Sequence, residues 1–326
     1  MTTFDLDRRL PPDFLINALR ADAREGLTAS PKCIPSKWLY DSKGSKIYEE
    51  ITRLPEYYPF RVEGGILEAV ADEIAAATRA SSIVEFGSGS ADKTDILLRA
   101  LRRAGTLRAY TSIDISESAL VAAGSRLVAE YPGLSVRAVL ADFETQAEIL
   151  AAHGSPAPRL VLFLGGSIGQ LTSGQRAEFL RRIHGAFRQD DMLLLGVDLV
   201  KDPAKLVAAY DDSAGVSATF SKNLLSVLNA NVGADFNLDA FDHVVTWHGE
   251  AECVAMWLQS RISQVVRLSE IDLSVNFAAG ERLRMSISAK FRQDGIRAEL
   301  ESAGFSLRHW WTDPHGQFAL SLSRLV

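Results

Sequence analysis

The chain has 326 residues, 47% of them apolar, which is enough for two hydrophobic cores. Its net charge of -6 and pI of about 5.6 leave no basic surface to neutralise phosphates, which excludes nucleic acid as a partner and favours a small molecule. Two cysteines far apart in sequence (Cys33, Cys253), the lack of a run of roughly 18 apolar residues, and acids within Met1 to Arg9 exclude a disulfide framework, a cysteine zinc site and a membrane span; they predict a cytosolic protein with two buried thiols.

In chain order, Phe14 to Tyr58 reads as a helical region. From Ser82 to Val200 short apolar runs alternate with amphipathic ones. The strands expected are Ser82 to Phe86, Ala109 to Ile113, Leu134 to Leu140, Leu160 to Leu164 and Met192 to Asp198, with helices starting at Ala91, Ser116, Glu144 and Ser173 between them. Thr172 followed by Gln175 is a capping box for the last helix. Such alternation builds a parallel α/β sheet. After Asp202 it stops: a helix over Phe220 to Asn231 precedes a hairpin of Asp242 to His248 and Glu252 to Gln259 about Gly249. Phe305 to Trp311 and Gln317 to Leu325 return to strand character as a hairpin closing the sheet's edge. The pattern therefore predicts an α/β sheet domain over residues 61–200 and 291–326, interrupted by an α+β domain built from residues 1–60 and 201–290.

The first strand runs into Gly87-Ser88-Gly89 and then a helix, an order that lets a ligand approach bare backbone and face the helix's free N–H groups. Asp114 ends the second strand, where a carboxylate accepts both hydroxyls of a ribose; NAD and S-adenosylmethionine satisfy it equally. Asp142-Phe143 after the third strand discriminates. The carboxylate suits an adenine amino group, and the ring packs on the base, which favours S-adenosylmethionine. The third glycine of a dinucleotide fingerprint is replaced by Asp92, an acid that opposes a pyrophosphate. Lys93 follows as a partner for the cofactor's carboxylate. The six histidines show no ligand spacing, and no metal is expected.

Further motifs run through the chain: Lys37-Trp38-Leu39-Tyr40-Asp41, Leu54-Pro55-Glu56-Tyr57-Tyr58-Pro59, Glu85-Phe86-Gly87-Ser88-Gly89-Ser90 with Lys93-Thr94, Gly196-Val197-Asp198-Leu199, Ala209-Tyr210-Asp211-Asp212, Gly233-Ala234-Asp235-Phe236 and Trp310-Trp311-Thr312-Asp313-Pro314. In these the chain resembles the histidine Nα-methyltransferases of ergothioneine biosynthesis over nearly its whole length. The resemblance implies a Rossmann-like methyltransferase sheet with an inserted α+β substrate domain, acting on a free amino acid; a monomer is expected. It also implies S-adenosylmethionine contacts at Gly87, Ser88, Gly89, Lys93, Asp114, Asp142 and Phe143. The amino-acid contacts it implies are Tyr57, Gly165, Gln170, Tyr210, Met256, Ser286 and Ser288, with Tyr40 and Tyr210 taking part in catalysis.

Two positions depart from the family pattern. Where the family's loop carries an asparagine toward the substrate's α-amino end, Gln170 keeps the amide one methylene further out. Where the family faces the imidazole with a Glu-x-Ser pair, the chain has Ser286-Ile287-Ser288. A carboxylate to an imidazole N–H contributes about 1.5 to 3 kcal/mol and a hydroxyl roughly half that, so a larger aromatic amino acid such as tryptophan stands as an alternative to histidine. A cofactor-binding protein without turnover is the other alternative. Because the sulfonium already makes the methyl electrophilic, the site must align a neutral amine with the S–CH3 bond.

Overall fold

The structure, a computed structural model, describes residues 3–143, 146, 149–152 and 154–326, and these divide into two compact units. The first comprises residues 1–9, 59–200 and 289–326. Its eight-stranded sheet runs, edge to edge, Thr3–Arg8, Ser135–Leu140, Ala109–Asp114, Ser82–Phe86, Arg159–Phe163, Met192–Asp198, Phe318–Leu325 and Phe305–Thr312. The first six are parallel, Phe318–Leu325 is antiparallel to Met192–Asp198, and Phe305–Thr312 is antiparallel to Phe318–Leu325 in turn. Strands Ser82–Phe86 and Arg159–Phe163 are buried at every position, which is why their runs are mainly apolar rather than alternating, with Ser82, Glu85 and Arg159 as buried polar exceptions.

The crossover helices begin and end where local chemistry dictates. Ser116 caps Glu117–Glu130, and Thr172 with Gln175 forms the capping box of Ser173–Ala186. Asp92 and Asp95 in the first turn of Asp92–Arg103, with Arg102 and Arg103 in its last, complement the helix dipole. The helix expected from Glu144 begins outside the described residues; a short helix spans Ile149–Ala152. Arg159 and Asp191 form a fully buried ion pair beneath the sheet, with the guanidinium also donating to the Leu150 and Ala186 carbonyls.

Three features of this unit go beyond the sequence reading. Thr3–Arg8 is an edge strand paired with Ser135–Leu140, so this segment belongs to the sheet unit and not to the other. A 21-residue helix, Tyr58–Thr78, precedes the first central strand, and Gln293–Ser302 forms a helix before the terminal hairpin.

The second unit comprises residues 10–58 and 201–288. A four-stranded sheet runs Lys32–Cys33, Arg282–Ala289, Cys253–Ser260 and Phe241–His248, with a separate hairpin of Gln264–Leu268 and Leu273–Phe277. Its helices are Phe14–Thr28, Ser42–Ile51, Pro203–Ala208 and Val216–Val232; Asp41 caps the second, and the last ends at Gly233. The expected helical region before Tyr58 thus also contains a short strand. Both cysteines lie here and are half-buried, not buried, because each sits at an end of its strand.

Candidate active site

The chain winds outward from Ser82–Phe86 through Ala109–Asp114 to Ser135–Leu140, then returns to the other side at Arg159–Phe163. The carboxyl ends of strands Ser82–Phe86 and Arg159–Phe163 therefore flank a topological switch point, the position where open α/β sheets bind ligands. Gly87 and Gly89, at φ of +68° and +50°, turn the chain there, and a Cβ on Gly87 would stand 3.7 Å from the Phe143 ring. The Gly87 N–H donates to the Ile113 carbonyl at 2.8 Å, locking the glycine turn to the neighbouring strand.

Asp114 fixes the same turn from its side chain. One oxygen accepts from Ser116 N at 2.9 Å and the other from Gly89 N at 3.3 Å, and burial raises the carboxyl above its ordinary value against these donors. Each oxygen keeps a further lone pair, which is what two ribose hydroxyls require. Asp142 is buried at the end of the next strand, with its amide and carbonyl tied to Gln146. The half-buried Phe143 ring meets Phe163 at 5.5 Å and Phe86 at 6.0 Å between centroids. Ser88 is buried, and its hydroxyl lies beside the Tyr110 phenol. Asp92 is exposed and Arg126 pairs with it at 3.3 Å, which offsets part of its charge, so the discrimination against a dinucleotide rests chiefly on Asp142 and Phe143. Two acids and one cation around a glycine turn fit a ribose and adenine carrying a zwitterionic, sulfonium-bearing tail.

That cation, Lys93, is paired with the buried Glu63 and lies over the Phe60 ring, 5.1 Å from its centroid. Gly165 lies in the turn two residues beyond the strand Arg159–Phe163, and the loop closes as a 3-10 turn over Ser167–Gln170, with Gln170 half-buried at its end. Gly165 and Gln170 thus belong to the first unit, and the other expected amino-acid contacts belong to the second.

In the second unit an aromatic cluster joins residues distant in sequence. Tyr57 meets Tyr210 edge-on at 6.0 Å and Tyr48 at 6.2 Å, and Tyr40 packs on Tyr48 and Phe220 at 5.5 and 5.4 Å. The Tyr210 hydroxyl is 2.8 Å from Ser288 Oγ, and its backbone carbonyl is 2.9 Å from His243 Nε2. Burial, then the Tyr48 and Tyr210 phenols, push the Tyr57 phenol well above its ordinary value, so it remains a donor at neutral pH. Ser286 lies two residues before Ser288 on the same face of one strand, half-buried, with its hydroxyl on the Ile287 carbonyl. Met256 is buried on the neighbouring strand, opposite Val245. The sequence reading missed Tyr48, Phe220, His243 and Glu63. Only the aromatic spacing of Tyr40, Tyr48 and Tyr57 carried a usable signal for one of them.

Residues 19–325 match the family model described as histidine-specific methyltransferase, SAM-dependent. The chain is 49% identical over 321 residues to a histidine N-alpha-methyltransferase of Mycolicibacterium smegmatis, covering 98% of this chain and 99% of that protein. It is 47% identical over 306 residues to a protein of the same name from Mycobacterium tuberculosis, covering 94% of each. Its similarity to a 4-dimethylallyltryptophan N-methyltransferase of Claviceps fusiformis is 26% over 287 residues, covering 82% of this chain and 81% of the other.

Proposed function

The chain belongs to the histidine-specific, S-adenosylmethionine-dependent methyltransferase family, and from that membership we propose that it methylates the α-amino nitrogen of free L-histidine, up to the trimethylated betaine. The observation that carries this reading is 49% identity, over nearly the full length of both chains, to a protein named for that activity. S-adenosylmethionine, when bound, supplies an electrophilic methyl group. Asp114 takes the ribose hydroxyls, Asp142 and Phe143 the adenine, Lys93 the carboxylate of the tail, and the Gly87-Ser88-Gly89 turn the approach of its backbone. Tyr57 donates to the substrate, and Tyr210, held by Ser288 and by His243, orients the amine with Tyr40 nearby. Gln170 reaches the α-amino end, Gly165 shapes the loop before it, and Met256, Ser286 and Ser288 border the ring. The amine loses its proton through these hydroxyls and amides and through water rather than to one strong base.

A second reading, an aromatic amino acid such as tryptophan, is favoured by one observation: Ser286 stands where the family pattern places an acid. Incubating each free amino acid with S-adenosylmethionine and following successive methyl additions by mass spectrometry decides between them. Histidine consumed fastest supports the proposal, tryptophan consumed fastest supports the second reading, and cofactor binding without any methylated product overturns both. No helix among the described residues is long and apolar enough to cross a membrane. The same reading assigns a small-molecule substrate met in the cytosol by a monomer, which light scattering checks against 35.6 kDa.

A further inference from the structure

Glu63 sits within the helix Tyr58–Thr78 and has no exposed surface. A carboxylate cut off from water must be paired and hydrogen-bonded to stay ionised. Its two oxygens accept from the Gly165 N–H at 2.8 and 2.9 Å, and the Lys93 ammonium closes on one of them. The same ammonium borders the Gly165 turn, since a Cβ built on Gly165 would be 3.4 Å from Lys93 Nζ. Phe60, three residues before Glu63, offers its ring face to the cation. On the other side, a Cβ on Gly196 would fall 1.9 Å from a Glu63 oxygen, so only glycine lets the helix's acid reach the strand Met192–Asp198. One acid therefore joins the two sides of the switch point: the lysine after the glycine turn and Gly165, the second residue beyond the strand Arg159–Phe163.

We propose that Glu63 is a positioning residue of the cofactor site, holding the Lys93 ammonium in place and tying the Gly165 turn to it before the cofactor arrives. The proposal rests on the reading of Lys93 as the partner of the cofactor's carboxylate. A lysine side chain ordered in advance loses little rotamer freedom on binding, whereas one deprived of its buried partner swings toward water and must be reordered.

The test is calorimetric binding of S-adenosylmethionine to the cofactor-free protein. Glu63→Gln keeps an amide oxygen for the Gly165 N–H but presents no charge to Lys93, and is expected to weaken binding roughly tenfold. Lys93→Met is expected to weaken it at least as much. The double variant removes both charges, folds without a buried unpaired ion, and is expected to bind within about a factor of two of Lys93→Met, because Glu63 acts through Lys93. Wild-type affinity in Glu63→Gln, or a double variant tenfold weaker than Lys93→Met, overturns the proposal. Wild-type affinity in Lys93→Met marks a different failure, that of the reading of Lys93, and the positioning role falls with it.

Discussion

At the scale of single residues, Asp114 and Ser286 carry the most decisive consequences. Asp114 accepts from Gly89 and Ser116 and has lone pairs left for two further donors. With Asp114 holding the ribose as proposed, Asp114→Ala would remove both of those bonds and free the glycine turn, so calorimetry should find S-adenosylmethionine binding weakened by about 2 to 3 kcal/mol. Unchanged affinity would remove Asp114 from the cofactor site. Ser286 now bonds to the carbonyl of its own neighbour, and a carboxylate at that position gives an imidazole N–H a charged acceptor while leaving an indole poorly matched. Ser286→Glu should therefore raise kcat/KM for histidine relative to tryptophan about tenfold, equivalent to about 1.4 kcal/mol. If the ratio stays put, Ser286 does not face the substrate ring.

Among elements, Glu85 links three: it lies on the strand Ser82–Phe86 and accepts from Thr94 of the following helix at 2.6 Å and from Tyr110 of the next strand at 2.7 Å. Burial dominates those bonds and raises its carboxyl to about 7. Since the folded value lies above the unfolded 4.5, the folded state binds more protons between those values. Glu85 therefore costs no stability below about pH 4.5 and progressively more as pH rises through 7, about 3 kcal/mol in full. Glu85→Gln keeps two hydrogen-bonding atoms without a charge. Relative to the wild type, its urea-unfolding free energy should gain about 3 kcal/mol between pH 4.5 and 8, and a constant difference would show that the Glu85 carboxyl titrates in the folded protein where it does in the unfolded chain. The sheet was legible in the sequence because strands buried on both faces read as mainly apolar runs, and Ser82–Phe86 and Met192–Asp198 emerge at their expected ends. Thr3–Arg8 was not legible, since Thr-Phe-Asp-Leu-Asp-Arg alternates acid and apolar residues and gains its place only when Phe4 packs on Gly124. Glu63 escaped for a related reason: its partners are 30 and 102 positions away, and an acid in an amphipathic helix reads as a solvated one.

For the whole molecule, two units with separate interiors imply separable responses to two ligands. S-adenosylmethionine at about 100 times its Kd adds about 2.7 kcal/mol to the stability of whatever it binds. Hydrogen exchange should slow across residues 82–116 of the first unit and leave the helix Val216–Val232 of the second unaltered, and equal protection of both would show a single cooperative body. The order of strands has a consequence for synthesis on the ribosome. The apolar strand Met192–Asp198 finds its antiparallel neighbour only in Phe318–Leu325, 120 positions later, after all of residues 201–288 have been made. At about 5 to 20 residues per second, the nascent sheet carries an unsatisfied hydrophobic edge for roughly 6 to 24 seconds. During that interval the emerging chain is open to pairing with other chains, and a nascent polypeptide stalled before residue 318 should be the species that chaperones retain and that aggregates without them.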